Sequence, residues 1–323
     1  MSVHLGTGPD RVARPSRPGG EQVSVTPGDA RARTMRAAIE TANDYVTLTK
    51  PRIISLLLLT CVATMFVADP GGPGIATILW TCLGGYLAAG GAGAINQYIE
   101  RERDARMART SGRPLASGRI EPRRGLVFGT TLGVVAVAQL WITVNALTAA
   151  LAAAGLLGYV FVYTLWLKPR TPQNIVLGGA AGAMPPLVGW AAATGGLTLE
   201  ALWPFAIVFF WTPPHFWALS LLISDDYAHT GVPMLPVVRG ETTTRHQILL
   251  YALLLVAITI GPVITGMLGT PYLIAALALG AGFVGLALVL LAHPSRLAAR
   301  RLYLSSLAYL ALLFVAMALD RAL

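Results

Sequence analysis

Long uncharged apolar stretches dominate the hydrophobic pattern of this chain. Seven stretches contain no Asp, Glu, Lys or Arg: residues 53–68, 70–99, 125–167, 171–199, 201–224, 247–295 and 302–319. Lengths of this order are typical of membrane-spanning helices, which need about 20 predominantly apolar residues. The pattern therefore predicts an all-α fold, a polytopic bundle that crosses a membrane several times.

Two of these stretches are too long for a single crossing. At about 1.5 Å per helical residue, residues 125–167 would reach roughly 65 Å and residues 247–295 roughly 74 Å, against a hydrocarbon core of about 30 Å. Each stretch must fold back once. We place the turns at Val144-Asn145 and at Gly269-Thr270-Pro271, where polar residues or a proline interrupt the apolar run. The predicted number of transmembrane helices is nine.

The basic residues divide unevenly between the two sides of such a bundle. Of the 24 lysines and arginines, only Arg321 falls on the side of the C-terminus, and the other 23 share the opposite side. The positive-inside rule assigns that side to the cytoplasm, so we expect a cytoplasmic N-terminus and an external C-terminus. The same signal accounts for the net charge of +9. We therefore expect no nucleic-acid partner, although the alternative of contact with RNA or anionic lipid headgroups follows from the same charge.

The amino-acid composition indicates the class of protein, its domain organisation and its cellular location. With 55% hydrophobic and 12% charged residues, the chain cannot be a soluble enzyme. We expect residues 1–40, rich in Gly, Pro, Arg and Ser, to be a disordered cytoplasmic tail, and residues 41–323 to be the nine-helix domain. A mitochondrial transit peptide is the alternative, which Asp10, Glu21 and Asp29 disfavour. The excess of arginine over lysine favours a GC-rich bacterial source and hence a bacterial plasma membrane.

Polar residues at the end of the second crossing are the first candidate for chemistry. Asn96, Glu100 and Asp104 recur every four residues, so a helix places them along one face. Acids next to a membrane are expensive unless a partner or a function stabilises them. The alternative is a solvated helix end, because Arg101 and Arg103 alternate with the acids.

A second acidic group, Asp225-Asp226 followed by Tyr227, ends the sixth crossing on the same predicted side. Hard oxygen ligands from two helices suit Mg²⁺ held together with a substrate phosphate. The predicted metal ligands are Glu100, Asp104, Asp225 and Asp226. A zinc or iron site is not expected, because the chain has no cysteine cluster and no pair of histidines at ligand spacing.

Basic side chains near these acids are candidates for binding phosphate. They are Arg109 and Arg113 after the second crossing, Lys50 and Arg52 before the first, and Lys168 and Arg170 before the fifth. Guanidinium groups match the oxygens of a diphosphate well. The alternative for each single residue is the positive-inside signal.

Four sequence motifs together resemble a known family. They are Asn96 to Asp104, Arg-Thr-Ser-Gly-Arg-Pro-Leu at 109–115, Thr-Pro-Pro-His-Phe-Trp-Ala-Leu at 212–219, and Gly-Val-Pro-Met-Leu-Pro-Val-Val-Arg-Gly at 231–240. The chain is similar, from about Tyr45 onwards, to the protohaem IX farnesyltransferases (haem O synthases) of the intramembrane aromatic prenyltransferase superfamily. The acidic pattern marks the superfamily, and the last two motifs select haem.

The resemblance implies a nine-helix fold whose cavity opens towards membrane lipid. It implies transfer of farnesyl from farnesyl diphosphate to a vinyl group of haem B, with addition of water, to give haem O. The metal is Mg²⁺, and delivery of the product to a haem A-forming enzyme or a terminal oxidase is a further implication. The implied catalytic residues are Asn96, Glu100, Asp104 and Asp226. The implied substrate-binding residues are Arg109, Arg113, Lys50, Arg52, Lys168, Arg170, Asn174, Tyr227 and His215.

The chain departs from the superfamily pattern at two places. The first acid is Glu100 where Asp is usual, and no acid follows four residues after Asp225 or Asp226, where His229 and Thr230 stand. His215 carries two interpretations: it is a ligand of haem iron, or a hydrogen-bonded packing residue beside a proline kink.

Two other functions are compatible with the residues. The same fold would act on another acceptor, such as 4-hydroxybenzoate, a naphthoate or chlorophyllide. A transporter with a parallel repeat is disfavoured, since its acids should lie near the middle of the bilayer rather than at the cytoplasmic helix ends.

Overall fold

The computed structural model describes residues 27–322, and all regular structure in this range is helical. The elements are α1 (Pro27–Thr49), α2 (Pro51–Ala68), α3 (Ile75–Asp104), α4 (Pro122–Thr143), α5 (Ala146–Leu157) continued by a π-helical segment (Gly158–Leu167), α6 (Asn174–Gly182), α7 (Met184–Thr194), a 3₁₀ turn (Leu199–Ala201), α8 (Leu202–Leu222), α9 (Ser224–His229), α10 (Leu235–Ile264), α11 (Thr270–Ala292) and α12 (Arg296–Ala322). The all-α class is confirmed.

Nine helical segments among the described residues are long and apolar enough to cross a membrane. They are Pro51–Ala68, Ile75–Asp104, Pro122–Thr143, Ala146–Leu167, Asn174–Thr194, Leu199–Leu222, Leu235–Ile264, Thr270–Ala292 and Arg296–Ala322. The predicted fold, a nine-helix membrane bundle, is confirmed. The protein is therefore a multi-pass membrane protein.

The predicted turn at Val144-Asn145 separates two helices, whereas the second turn lies slightly earlier than predicted, at residues 265–269, because Thr270 and Pro271 already belong to α11. Val144 and Asn145 lie between α4 and α5, and the Asn145 side chain accepts a hydrogen bond from the Thr148 amide at 2.8 Å, which caps α5. Gly269 immediately precedes α11, while α10 already ends at Ile264.

The N-terminal segment differs from the expected disorder over part of its length. Helix α1 begins at Pro27, so residues 27–40 are helical. The run Ala-Arg-Ala-Arg-Thr-Met-Arg-Ala-Ala is rich in strong helix formers, which accounts for this helix. Residues 1–26 lie outside the described residues. The residues from Thr41 onwards form a compact unit of their own.

Close approach of backbones positions α3 in the bundle. A Cβ at Gly91 would lie 2.6 Å from the Gly129 carbonyl of α4, and a Cβ at Gly90 would lie 3.0 Å from Thr49 Cβ at the end of α1. Only glycine permits such contact. As a result α3 lies tightly between α4 and the α1–α2 junction, and its last turns face that junction.

Three elements of the bundle contain a π-helical segment, a non-helical residue or internal prolines. The π-helical segment Gly158–Leu167 ends directly before Lys168, and α10 contains a non-helical Gly240 with φ 80° and ψ 161°. Pro213 and Pro214 lie inside α8. Irregular helices of this kind are frequent at functional sites.

Candidate active site

The three polar residues of α3 lie together in the interior. Asn96, Glu100 and Asp104 are 2%, 5% and 4% exposed, and the Asn96 amide donates to Glu100 Oε2 at 3.0 Å. The hydrogen bond between Asn96 and Glu100 agrees with the predicted position of these residues on one face of the helix. The solvated helix end is wrong for these residues, because α3 continues as a helix to Asp104 and packs its acids inside the protein.

Lys168 is the main partner of Glu100. Its Nζ lies 2.6 Å from Glu100 Oε1 and 2.7 Å from Oε2. Burial by itself lowers the pKa of Lys168, but the charge and hydrogen bond of the Glu100 carboxylate, together with Tyr227 and Tyr159, hold the pKa above its usual value. Both side chains of the pair are therefore charged. Lys168 directly follows the π-helical segment, which positions its side chain beside Glu100.

Lys50 reaches the same cluster from the α1–α2 junction. It is the only non-glycine residue with positive φ among the described residues, with φ 57° and ψ 55°. Its Nζ donates to Asn96 Oδ1 at 2.8 Å. Burial, followed by the Arg113 guanidinium, lowers the pKa of Lys50 to about 7. An additional negative charge beside this lysine would be favourable, because its ammonium form is destabilised by its surroundings.

Arg113 pairs with the third residue of the α3 face. Its guanidinium donates to Asp104 Oδ2 at 2.6 Å, and Thr110 Oγ1 donates to the Asp104 carbonyl at 2.9 Å. These contacts fold residues 105–121 back over the end of α3. Arg119 fixes the same loop to Asp44 of α1 through bonds of 2.9 to 3.1 Å.

Two contributors to this network were not predicted. Thr164 accepts from the Asn96 amide at 3.2 Å, and Arg103 donates to Glu100 Oε1 at 3.3 Å. No spacing pattern links Thr164 to Asn96, since 68 residues separate them. The sequence indicates only that Arg103 belongs to a charged helix end, because it alternates with acidic residues.

The second acidic group lies on the separate short helix α9. Asp225 is exposed, Asp226 is half-buried and Tyr227 is buried. No ion pair to either aspartate occurs among the described residues. Tyr227 adds to the effect of Glu100 in holding the pKa of Lys168 above its usual value.

A ready-made metal cage is absent from the described part of the chain. There, no three His, Cys, Asp or Glu side chains form a group able to hold a metal ion by themselves. The structure thus does not unite the four predicted carboxylates, because Glu100 and Asp104 face lysine and arginine while α9 presents its acids separately. The donor chemistry, carboxylate and amide oxygen, still fits Mg²⁺ bound partly by a phosphate.

The remaining predicted basic residues lie outside the network. Arg52 and Arg109 are exposed, and neither side chain has a hydrogen bond or ion pair among the described residues. Arg170 donates to the carbonyls of Leu165 and Trp166, so it caps the π-helical segment. The predicted binding residue Asn174, which is not basic, is also outside the network and fully buried. Its side-chain amide donates a hydrogen bond to the Thr171 carbonyl at 2.7 Å, and its Oδ1 has no hydrogen-bond partner among the described residues.

His215 is held by α8 and α12. Its ring stacks on Trp211 and Tyr303, with centroids 4.3 and 4.9 Å away, and Nδ1 lies 2.6 Å from Ser306 Oγ. Because Ser306 Oγ donates its proton to the Tyr303 carbonyl at 2.6 Å, Nδ1–H must donate to Ser306. The lone pair then lies on Nε2. The stacking on both ring faces agrees with the interpretation of His215 as a packing residue. Nε2 remains available as a hydrogen-bond acceptor or a metal ligand.

Residues 57–316 match the UbiA prenyltransferase family. The chain belongs to this family. It is 51% identical over 293 residues to the protoheme IX farnesyltransferase of Symbiobacterium thermophilum, covering 90% of this chain and 98% of that protein. It is 53% identical over 278 residues to the protein of the same name from Roseiflexus sp. strain RS-1, covering 86% of this chain. The chain spans about half (52%) of the length of that Roseiflexus relative. The recognised resemblance is confirmed.

Solved structures share the fold of this UbiA family member. A digeranylgeranylglyceryl phosphate synthase matches with a TM-score of 0.69 at 16% identity, over 88% of this chain and 99% of its own. A UbiA homologue from Aeropyrum pernix K1 matches with a TM-score of 0.68 at 19% identity, over 84% and 98%. A UbiA homologue from Archaeoglobus fulgidus bound to DMAPP and Mg²⁺ matches with a TM-score of 0.61 at 14% identity, over 85% and 99%.

Proposed function

We propose that this protein transfers a farnesyl group from farnesyl diphosphate to a vinyl group of protohaem IX (haem B), with addition of water, to give haem O. The observation that carries the reaction class is the buried chain Lys50–Asn96–Glu100–Lys168 beside the Asp104–Arg113 pair. The acceptor is supported by relatives that bear the name protoheme IX farnesyltransferase at about half identity.

The charge balance of the site favours an anionic substrate. Lys50, Lys168, Arg103 and Arg113 contact the α3 face, which offers only two carboxylates. Guanidinium and ammonium groups bind diphosphate oxygens, and the exposed Arg109 and Arg52 extend the positive surface. In our proposal these groups bind and orient the diphosphate of the prenyl donor.

Mg²⁺ is the proposed cofactor. Glu100, Asp104 and Asp226, with Asn96 as an oxygen donor and Asp225 at the rim, would hold it together with the diphosphate. When bound, the ion neutralises the charge that develops on the departing diphosphate. Support comes from the hard-oxygen donor set and from the Archaeoglobus fulgidus structure with Mg²⁺ bound. Lys168 and Arg113 hold the two carboxylates in place until substrate enters.

The apolar bundle would protect the allylic cation left after ionisation. Water must be kept away until the vinyl group has reacted, and admitted afterwards to supply the hydroxyl of the product. Each methylene buried in lipid contributes about 0.8 kcal/mol, so a fifteen-carbon chain partitions into the membrane by itself. Tyr227, the unpaired Oδ1 of Asn174 and Nε2 of His215 are the proposed contacts for the substrates.

The proposed setting is a bacterial plasma membrane, with the N-terminus in the cytoplasm. The diphosphate site then faces the compartment in which a soluble prenyl diphosphate is available. A haem A-forming enzyme or a terminal oxidase is the proposed recipient of the product.

Expression in a bacterial host that lacks haem O tests the proposal. We expect extracted haems to contain a new species whose mass exceeds that of haem B by one farnesyl group and one hydroxyl group, because the second proton of the added water is released. An empty vector in the same host is the control. Unchanged haem together with a prenylated quinone precursor would instead assign the chain to another acceptor.

A further inference from the structure

A cavity of about 680 Å³ lies between the C-terminal part of α1 and the first turns of α4. It is lined by Tyr45, Glu121, Arg123, Arg124, Val127 and Phe128. Sites for small molecules usually measure about 300–1,000 Å³, so the cavity has room for a ligand of that size. None of its lining residues takes part in the described network around the α3 acids.

The cavity lies where the surface of α4 changes from basic to apolar. Arg123 and Arg124 are exposed and belong to the first turn of the candidate membrane span Pro122–Thr143. Val127 follows Arg123 by four residues, so the two share one helix face about 6 Å apart along the axis. Val127 is 57% exposed, and Val134, two turns further along α4, is exposed as well. Such a change within one turn is typical of the boundary between lipid headgroups and acyl chains.

Helix α1 supplies an aromatic wall. The Tyr45 ring packs edge-on against Phe128, with ring centroids 4.9 Å apart and an interplanar angle of 65°. Both rings are half-buried, and the Tyr45 hydroxyl has no hydrogen bond among the described residues. The ion pair between Asp44 and Arg119, at 2.9 Å, holds this part of α1 in place. The wall therefore combines an apolar ring surface with a hydroxyl donor, a combination favoured at membrane interfaces.

The charges of the lining do not balance. Arg124 Nε lies 3.2 Å from Glu121 Oε2, whereas Arg123 has no ion pair or hydrogen bond in the described part of the chain. Two arginines and one glutamate leave one positive charge uncompensated. Guanidinium groups bind phosphate oxygens through two parallel N–H donors. A complementary ligand thus carries one net negative charge on a phosphate and an apolar part that fits beside Val127 and Phe128.

We propose that this cavity binds an anionic glycerophospholipid, with its phosphate at Arg123 and Arg124 and its acyl chains along Val127 and Phe128. Basic pockets between transmembrane helices bind acidic lipid headgroups in this way. A zwitterionic lipid is the weaker candidate, because its ammonium group needs a free carboxylate and Glu121 is already paired. A second copy of this chain is also weaker, since a symmetric contact would oppose the two uncompensated charges.

Native mass spectrometry of the full chain in detergent tests the site without any turnover. The delipidated protein is titrated with phosphatidylglycerol, or with phosphatidylcholine of the same acyl chains, and the Kd of the first bound lipid is measured. We expect phosphatidylglycerol to bind roughly tenfold more tightly, and the double variant Arg123→Gln/Arg124→Gln to lose most of this preference. Val127→Trp should weaken both lipids roughly tenfold, because the indole fills the apolar part of the cavity.

Each variant has a matched control. Arg300→Gln/Arg301→Gln removes the same charge from two exposed arginines of α12 that do not line the cavity. Val134→Trp makes the same change at an exposed valine of α4 outside the lining. Both controls should bind each lipid as the unmodified chain does. Size-exclusion elution and thermal unfolding verify that every variant is folded.

Three outcomes overturn the proposal. They are equal affinity of the unmodified chain for the two lipids, equal effects of the two double variants, and unchanged lipid binding by Val127→Trp. Displacement of the lipid by an excess of inorganic phosphate would assign the cavity to a soluble anion and also overturn it. A dimer that dissociates in Val127→Trp but not in Val134→Trp would assign the cavity to a second copy of the chain instead.

Discussion

Glu100 shows how a single carboxylate is kept charged inside an apolar bundle. Lys168 lies 2.6 Å away and Asn96 donates to it at 3.0 Å, so its negative charge is both paired and hydrogen-bonded. Asp104 has the equivalent support from Arg113 at 2.6 Å. Removing one member of a buried pair costs about 3–5 kcal/mol, because the other charge is left without compensation. Such costly arrangements are consistent with a functional site, and they make the two carboxylates the residues to test first.

The substitutions Asp104→Asn and Asp226→Asn should each lower prenyl transfer by at least about 100-fold, since each removes one of the proposed charged ligands of the ion that would act on the leaving diphosphate. Turnover is measured by product formation from radiolabelled farnesyl diphosphate in membranes. Asp225→Asn should have a smaller effect, because Asp225 is exposed while Asp226 is half-buried.

Glu102→Gln is the matched control for these substitutions. Glu102 lies on the same helix, is exposed and pairs only with Arg101. Its turnover should be normal, and all variants should remain membrane-inserted and monodisperse in detergent. Near-normal turnover of Asp104→Asn or Asp226→Asn would reject the proposed metal site.

At the scale of elements, glycines decide where α3 lies and therefore where its acids point. A Cβ at Gly91 would meet the Gly129 carbonyl at 2.6 Å and the Gly133 amide nitrogen at 3.0 Å. Both neighbours are backbone atoms, which cannot rotate away as the end of a side chain can. Within membranes, where lipid is as apolar as the helices, close backbone packing is a main source of helix association.

The substitution Gly91→Ala should therefore destabilise the protein by about 1–3 kcal/mol, the usual range for overpacking. Thermal unfolding in detergent should show a lower Tm for this variant. The comparison variant is Gly282→Ala in α11, where a Cβ would meet nothing within 4 Å. That variant should be neutral or more stable by up to about 1 kcal/mol. Equal Tm values for the two variants would contradict the packing argument.

At the scale of the whole molecule, charge distribution and helix count support the proposed arrangement in the membrane. The sequence places 23 of 24 basic residues on one predicted side, and the nine candidate crossings among the described residues would put the two termini on opposite sides. Both acidic helix ends, at Asp104 and Asp226, then face the same side as the basic loops. The contacts of Lys168 and Arg113 with the α3 acids, and of Lys50 with Asn96, agree with this placement.

Fusions at Leu323 test the orientation. An alkaline phosphatase fused there should be active, because it folds only outside the cytoplasm, and a green fluorescent protein should be dark. The reverse pattern for the same two fusions placed after residue 225 provides the internal comparison. Fluorescence from the C-terminal fusion would mean an even number of crossings.

Removal of residues 1–35 should leave turnover within about twofold of the full chain. The network that holds the site begins later, at Asp44 and Lys50. Assay of the truncated protein in membranes measures this, and loss of activity would show that the tail contributes to the site.

The sequence by itself determined the helical class, the number of crossings, the turn at Val144-Asn145 and the candidate acids, because apolar length, local turn residues and four-residue spacing are properties of neighbouring residues. Only the tertiary structure decided that Lys168 and Lys50 contact Glu100 and Asn96, that Arg170 caps its own helix instead, and that the acids of α9 remain apart from those of α3. These facts depend on long-range contacts: the left-handed Lys50, the π-helical segment before Lys168 and the glycine contacts of α3 set distances that no local pattern encodes.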